Sequence, residues 1–128
     1  MKKTLFILTA ILAVAFTSCK VETSEVTVSV TDTEGNPMAN RDILYTDLAS
    51  IILDATLPSP ESLVTGIPEG WEYASTNAQG VVTIKIDMSV SKLTYYFEVF
   101  DYGSNKWVEK ELKLKKGEKA EVEFVVNK

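Results

Sequence analysis

The chain has no histidine, one cysteine and a single arginine. Without imidazole no serine has a histidine partner for a triad, and a soft metal has no imidazole ligand. A lone cysteine cannot close a disulfide within the chain, so a buried apolar core has to hold the fold. Positive charge is also scarce: 13 Lys and Arg against 18 Asp and Glu leave a net charge of −5. No basic stripe is present, so a nucleic-acid partner is not expected. No apolar run reaches the roughly 20 residues that a membrane-spanning helix needs. These absences leave no set of residues that could be named as catalytic, and no cofactor or metal site is expected.

What is present begins at the N-terminus. MKK is a positive start, and TLFILTAILAVAF is an apolar run of 13 residues. This order fits a cleavable secretory signal. Small residues Thr17 and Ser18 then precede Cys19, the only cysteine. The arrangement resembles a bacterial lipobox, in which a thiol takes a diacylglycerol group before the signal is cut. A thiolate is the nucleophile such chemistry needs, and several acyl chains hold a protein firmly to a membrane. Phe16 stands where Leu or Val is usual, a tolerance familiar in lipoproteins of Bacteroidetes, which this sequence resembles. The competing interpretation is an ordinary secretory signal with an incidental cysteine. The resemblance implies a signal peptide over 1–18, a lipidated tether over 19–25 and a domain over 26–128. Lys20, in place of the aspartate that favours inner-membrane retention, points to the outer membrane. Glu22 and Glu25 are a dilute version of the acidic residues associated with surface export, so the periplasmic and cell-surface faces both stay open. Cutting after Ser18 removes Lys2 and Lys3 and takes the net charge to −7.

Beyond the tether the apolar period is two, not 3.6. Val26, Val28 and Val30 alternate with Thr27, Ser29 and Thr31, and DTEGNP follows as a dense group of turn formers. Ile43 and Tyr45 lie in a second strand. Val82, Ile84, Ile86 and Met88 alternate with Val81, Thr83, Lys85 and Asp87 after the turn NAQG. Leu93 to Phe100 is apolar on both faces for much of its length, which predicts a central or covered strand. Val108, Leu112 and Leu114 mark another strand, and Gly117 suits a tight connection with positive φ. Ala120, Val122, Phe124 and Val126 close the chain. About seven short strands without a long helix predict an all-β sandwich. Residues 47–70 lack a clean period. Ser50 to Leu53 could form one more strand. Pro58, Pro60 and Pro68 exclude a continuous helix or central strand, so 54–70 is expected to be a long excursion over the sandwich.

EVTVSVTDTEGNPMANRDILYTD and STNAQGVVTIKI resemble the two signatures of transthyretin-like or carboxypeptidase-regulatory-like domains, with Asn77 in place of the usual Asp. The resemblance covers most of 25–126 and implies a seven-stranded prealbumin-like β-sandwich. Its motifs are turn chemistry, so they speak to fold rather than function. Transthyretin-related hydrolases use histidines and are excluded by composition. A Lys–Asn isopeptide bond of the pilus type is not expected either, because the first strand holds no Lys and Asn127 lies at the chain end.

Asp32, Glu34 and Asn36 alternate as calcium-loop ligands do, yet the remaining ligands are missing, and turn geometry explains Asp and Asn equally well. The better candidates are aromatic. A two-residue turn at Gly103–Ser104 would place Tyr102 opposite Asn105, Phe100 opposite Trp107, Glu98 opposite Glu109 and Tyr96 opposite Glu111. Tyr96, Phe100 and Trp107 beside Glu98 and Glu109 could then stack on a sugar and accept its hydroxyls. Two other arrangements remain open: the excursion covers these rings as core, or the chain crosses between sheets at 101–106. The Glu98–Glu109 opposition itself disfavours the pairing. The function expected is a non-catalytic binding or adhesion module for a glycan or envelope protein, anchored by lipid. The alternative is a small fimbrial-type structural subunit.

Overall fold

The computed structural model describes residues 21–48 and 57–128. Its elements are β1 (Glu22–Thr31), β2 (Asp42–Thr46), a 3-10 helix (Pro60–Thr65), β3 (Glu72–Ser75), β4 (Val81–Met88), β5 (Lys92–Asp101), β6 (Lys106–Lys115) and β7 (Lys119–Val125). The expected signal, Cys19 and the extra strand at 50–53 lie outside the described residues.

Alternation becomes two-faced strands. Val26, Val28 and Val30 are fully buried, while Thr27, Ser29 and Thr31 between them are half-buried. The seven strands form two sheets, ordered β4-β1-β7 and β3-β2-β5-β6. β1 runs antiparallel to β4 and parallel to β7. The core lies between the sheets. Val26, Val28, Ile84, Ile86, Val122 and Phe124 from one meet Ile43, Tyr45, Phe97, Val99 and Leu114 from the other. The Tyr45 and Phe97 rings stack at 5.7 Å. β5 is central in its sheet, as its two apolar faces require.

The first strand begins four residues before the valine alternation. Glu22 pairs with Met88 and Ser24 with Ile86, so 22–25 belongs to the sheet rather than to a free tether. Ser24 occupies the inward register of the valines and is buried. Its polarity is satisfied: Oγ donates to Lys115 O at 3.0 Å and accepts from Gly117 N at 2.8 Å. Gly117 has φ +77, as its tight turn requires.

Both signature turns work through their Asx side chains. Asp32 accepts from the backbone N–H of Glu34 and Asn36 at 2.9 Å each, and from Asn36 Nδ2 at 3.1 Å. These bonds, Asn36 N–H foremost, hold its carboxyl below the usual carboxylate range. Its acceptor capacity is thus used within the turn. Asn77 Oδ1 accepts from Gln79 N and Val81 N at 2.9 and 3.1 Å. Gly80, at φ +73, lies where a Cβ would come within 2.7 Å of Val30 O.

The sandwich has two distinct ends. At one, the start of β1 meets the 115–118 turn and the end of β4. At the other, Lys128 reaches Asp32 at 3.7 Å, Asn127 N donates to Asp101 Oδ1 at 3.1 Å, and Arg41 N donates to Thr76 Oγ1 at 2.9 Å. At about 3.3 Å per residue, the length of β1 separates these ends by roughly 30 Å.

Candidate binding surface

The four-stranded sheet turns a second face away from the core. Because side chains alternate, β5 directs Tyr96, Glu98 and Phe100 to that face, and β6 directs Trp107, Glu109 and Glu111. The pairing is the one expected: Phe100 opposite Trp107, Glu98 opposite Glu109, Tyr96 opposite Glu111. The turn is not. The ladder ends at Asp101–Lys106, leaving the four residues 102–105 in the turn with Asn105 at φ +57. A four-residue loop with Asn in the left-handed region preserves the register that a two-residue turn would give, and Asp101 Oδ1 fixes it by accepting Gly103 N at 2.9 Å.

The structure brings Phe100 and Trp107 together, and covers them. Phe100 and Trp107 meet edge to face at 5.4 Å. Trp107 Nε1 donates to Pro58 O at 2.9 Å. Leu44 on β2, Leu63 in the 3-10 helix and Trp71 form a second buried cluster, with Leu57 and Trp107 packed on it. The 57–71 segment therefore lies on the outer face as a lid of core side chains. Phe100 is buried, and Tyr96 and Trp107 are half-buried. Glu98 is only 7% exposed. Burial, and secondly the Glu109 carboxylate opposite, push its carboxyl up to about 7. Glu109 itself is exposed.

What remains accessible lies beside this row, toward the end opposite the start of β1. Tyr102 is exposed and lies edge-on to Phe100 at 4.9 Å, with the Arg41 guanidinium 4.9 Å above its ring. A recess of about 30 Å³, room for one water, opens among Arg41, Asp42, Pro60, Phe100 and Tyr102. On the other side of Asp42 and Pro60 lies a larger cleft of about 210 Å³, lined by these two with Leu63, Val64, Ile67 and Tyr73. Tyr73 donates its hydroxyl to Asp42 Oδ1 at 2.5 Å, and this bond, more than burial, raises its pKa.

No protein-family profile and no characterised protein sequence matches the chain. Solved structures do match in fold. The dioxygenase domain of a dioxygenase carbohydrate-binding protein fusion from Streptomyces sp. SirexAA-E aligns at TM-score 0.53 and 10% identity, over 86% of this chain and 82% of that one. Chlorocatechol 1,2-dioxygenase from Pseudomonas putida aligns at TM-score 0.52 and 11% identity, over 84% of this chain and 61% of the enzyme. The Bacillus anthracis TIE protein aligns at TM-score 0.50 and 12% identity, over 83% of this chain but only 16% of that protein. At these identities the likeness is one of β-sandwich architecture.

Arg41, Asp42 and Tyr73 carry most of the accessible polarity, and sequence reasoning did not select them. Arg41, as the only arginine in the chain, was the one available signal. Val64 and Ile67 gave none, because their positions in an aperiodic segment do not distinguish cover from rim.

Proposed function

We propose that this chain is an envelope lipoprotein, lipid-anchored through Cys19 in the outer membrane, whose sandwich is a non-catalytic binding or adhesion module of transthyretin-like kinship. The observation that carries the proposal is the cleft at Asp42, Tyr73, Val64 and Ile67. It gathers large apolar side chains open to solvent in one place, and it lies toward the end away from the start of β1. A module tethered at its N-terminus would present such a surface outward. The two Asx turns support the transthyretin-like kinship, since each works as the signature motifs imply. Trp107 and Phe100, expected as ligand rings, instead lie beneath the 57–71 cover and do not offer free rings.

A fimbrial-type subunit would need a sheet edge open to strand exchange. β7 is an edge strand, but Lys110 of β6 lays its ammonium on Glu123 O and over the Phe124 ring. An ammonium set across this edge opposes strand addition there, while β4, β3 and β6 are edge strands as well.

Mass spectrometry of the native protein tests the anchor, with a diacylglyceryl Cys19 at the mature N-terminus expected. A glycan array and envelope pull-down with residues 20–128 test the binding role. An unmodified thiol on an uncut leader overturns the first element, and blank screens overturn the second.

A further inference from the structure

Deepening the binding role proposed above, we infer that the cleft docks a protein segment presenting one large apolar side chain flanked by lysine or arginine. The walls decide against a sugar. Four of the six lining residues, Leu63, Val64, Ile67 and Pro60, are aliphatic, and the one ring, that of Tyr73, has its hydroxyl already given to Asp42. A cleft of about 210 Å³ has the volume of roughly seven waters, which suits a single leucine- or phenylalanine-sized group. Val64 is 89% exposed, Tyr73 44% and Ile67 38%, so the rim is apolar and open to solvent.

Charge selects the partner. From Asp42 to Ile84 the sequence contains no Lys or Arg, yet holds Asp42, Asp47, Asp54, Glu61, Glu69 and Glu72. These six acids account for nearly all of the net charge of the mature chain. Three of them bear on the cleft. Asp42 lines it, Glu61 follows the lining Pro60, and Glu69 stands two residues past the lining Ile67; both glutamates are exposed. Arg41 lies on the far side of Asp42, and the other charges near the slot are acidic, so the balance favours a cation beside the inserted group and repels an acidic segment. Among the described residues β3, whose Tyr73 lines the cleft, is also the edge of its sheet, where an extended chain could add alongside.

The test uses residues 20–128 and three fluorescein-labelled peptides of equal length, alternating Lys with Leu, Glu with Leu, and Lys with Ser. Anisotropy measures binding, and amide NMR shifts locate it. The expected result is binding of the Lys–Leu peptide alone, weakened by salt, with shifts concentrated over 60–73. The double variant Val64→Ser, Ile67→Ser should weaken it by about tenfold or more. Both side chains face solvent, so an unchanged melting temperature shows that the variant folds. Three results overturn the inference: no Lys–Leu binding, equal binding by the double variant, or equal binding of the Glu–Leu peptide. A glycan retained on the array and lost in the double variant overturns the protein-segment assignment while leaving the binding role intact. Blank results from array, pull-down and peptides together remove both.

Discussion

Replacing Glu98 with glutamine should flatten the pH dependence of this protein's stability near neutrality. Glu98 lies on the outer face at 7% exposure, between Leu44 and Glu109. Its carboxyl is pushed from 4.5 to about 7. The folded state thus holds a proton that the unfolded chain releases earlier. Stability is fully present below pH 4.5 and falls as pH rises through about 7. That separation corresponds to roughly 3 kcal/mol. With a urea slope of about 1–3 kcal/mol/M, the unfolding midpoint should drop by roughly 1–3 M between pH 4.5 and pH 8. Asp32 and Asp101 act the other way and elsewhere. Their folded values lie below 3.8, so their stabilisation is lost only as pH falls beneath this window. Urea titrations of residues 20–128 at several pH values measure the slope directly. Glu98→Gln should abolish most of it. Glu109→Gln should remove a smaller part, because burial is the larger cause. A wild-type midpoint that is flat or rising over this window, or a Glu98→Gln slope equal to wild type, would refute the argument.

Other perturbations follow from the same contacts. Trp107→Phe deletes the bond to Pro58 O but keeps most of the packing, and should cost about 1 kcal/mol; Trp107→Ala should cost about 3–5 kcal/mol, with amide exchange over 57–71 accelerating in both. Gly80→Ala and Gly35→Ala both place a methyl at positive φ, but only the first meets backbone, 2.7 Å from Val30 O and 2.8 Å from Met38 N. Gly35→Ala should cost about 1–2 kcal/mol, and Gly80→Ala clearly more, as read from thermal unfolding of the pair.

β1, β4 and β7 were legible because each carries an unbroken period of two with apolar residues inward, and an Asp or Asn turn adjoins β1 and β4; β3, four residues without valine or isoleucine, was not marked. Ser24 shows where that logic fails. A polar residue in an inward register looks like tether, and only the 115–118 turn, more than 90 residues away, supplies the bonds that bury it. The β5–β6 register was legible despite the Glu98–Glu109 opposition, because Phe100 with Trp107 and Val99 with Val108 fix both faces at once. The binding surface was not. Whether Tyr96, Phe100 and Trp107 are open or covered depends on where an aperiodic, proline-interrupted segment lies. That is set by long-range packing of Leu44, Leu63 and Trp71, which carries no local pattern.

β1 pairs with β4 over 22–29 and with β7 over 25–31, so its central residues 25–29 are flanked on both sides. A pull applied at its leading end and resisted at the opposite end of the sandwich would run along this strand, across hydrogen bonds that lie transverse to the load. Those bonds would have to yield together rather than peel one by one. If the chain is anchored and binds as proposed, this geometry would help the fold stay closed under drag between its two ends.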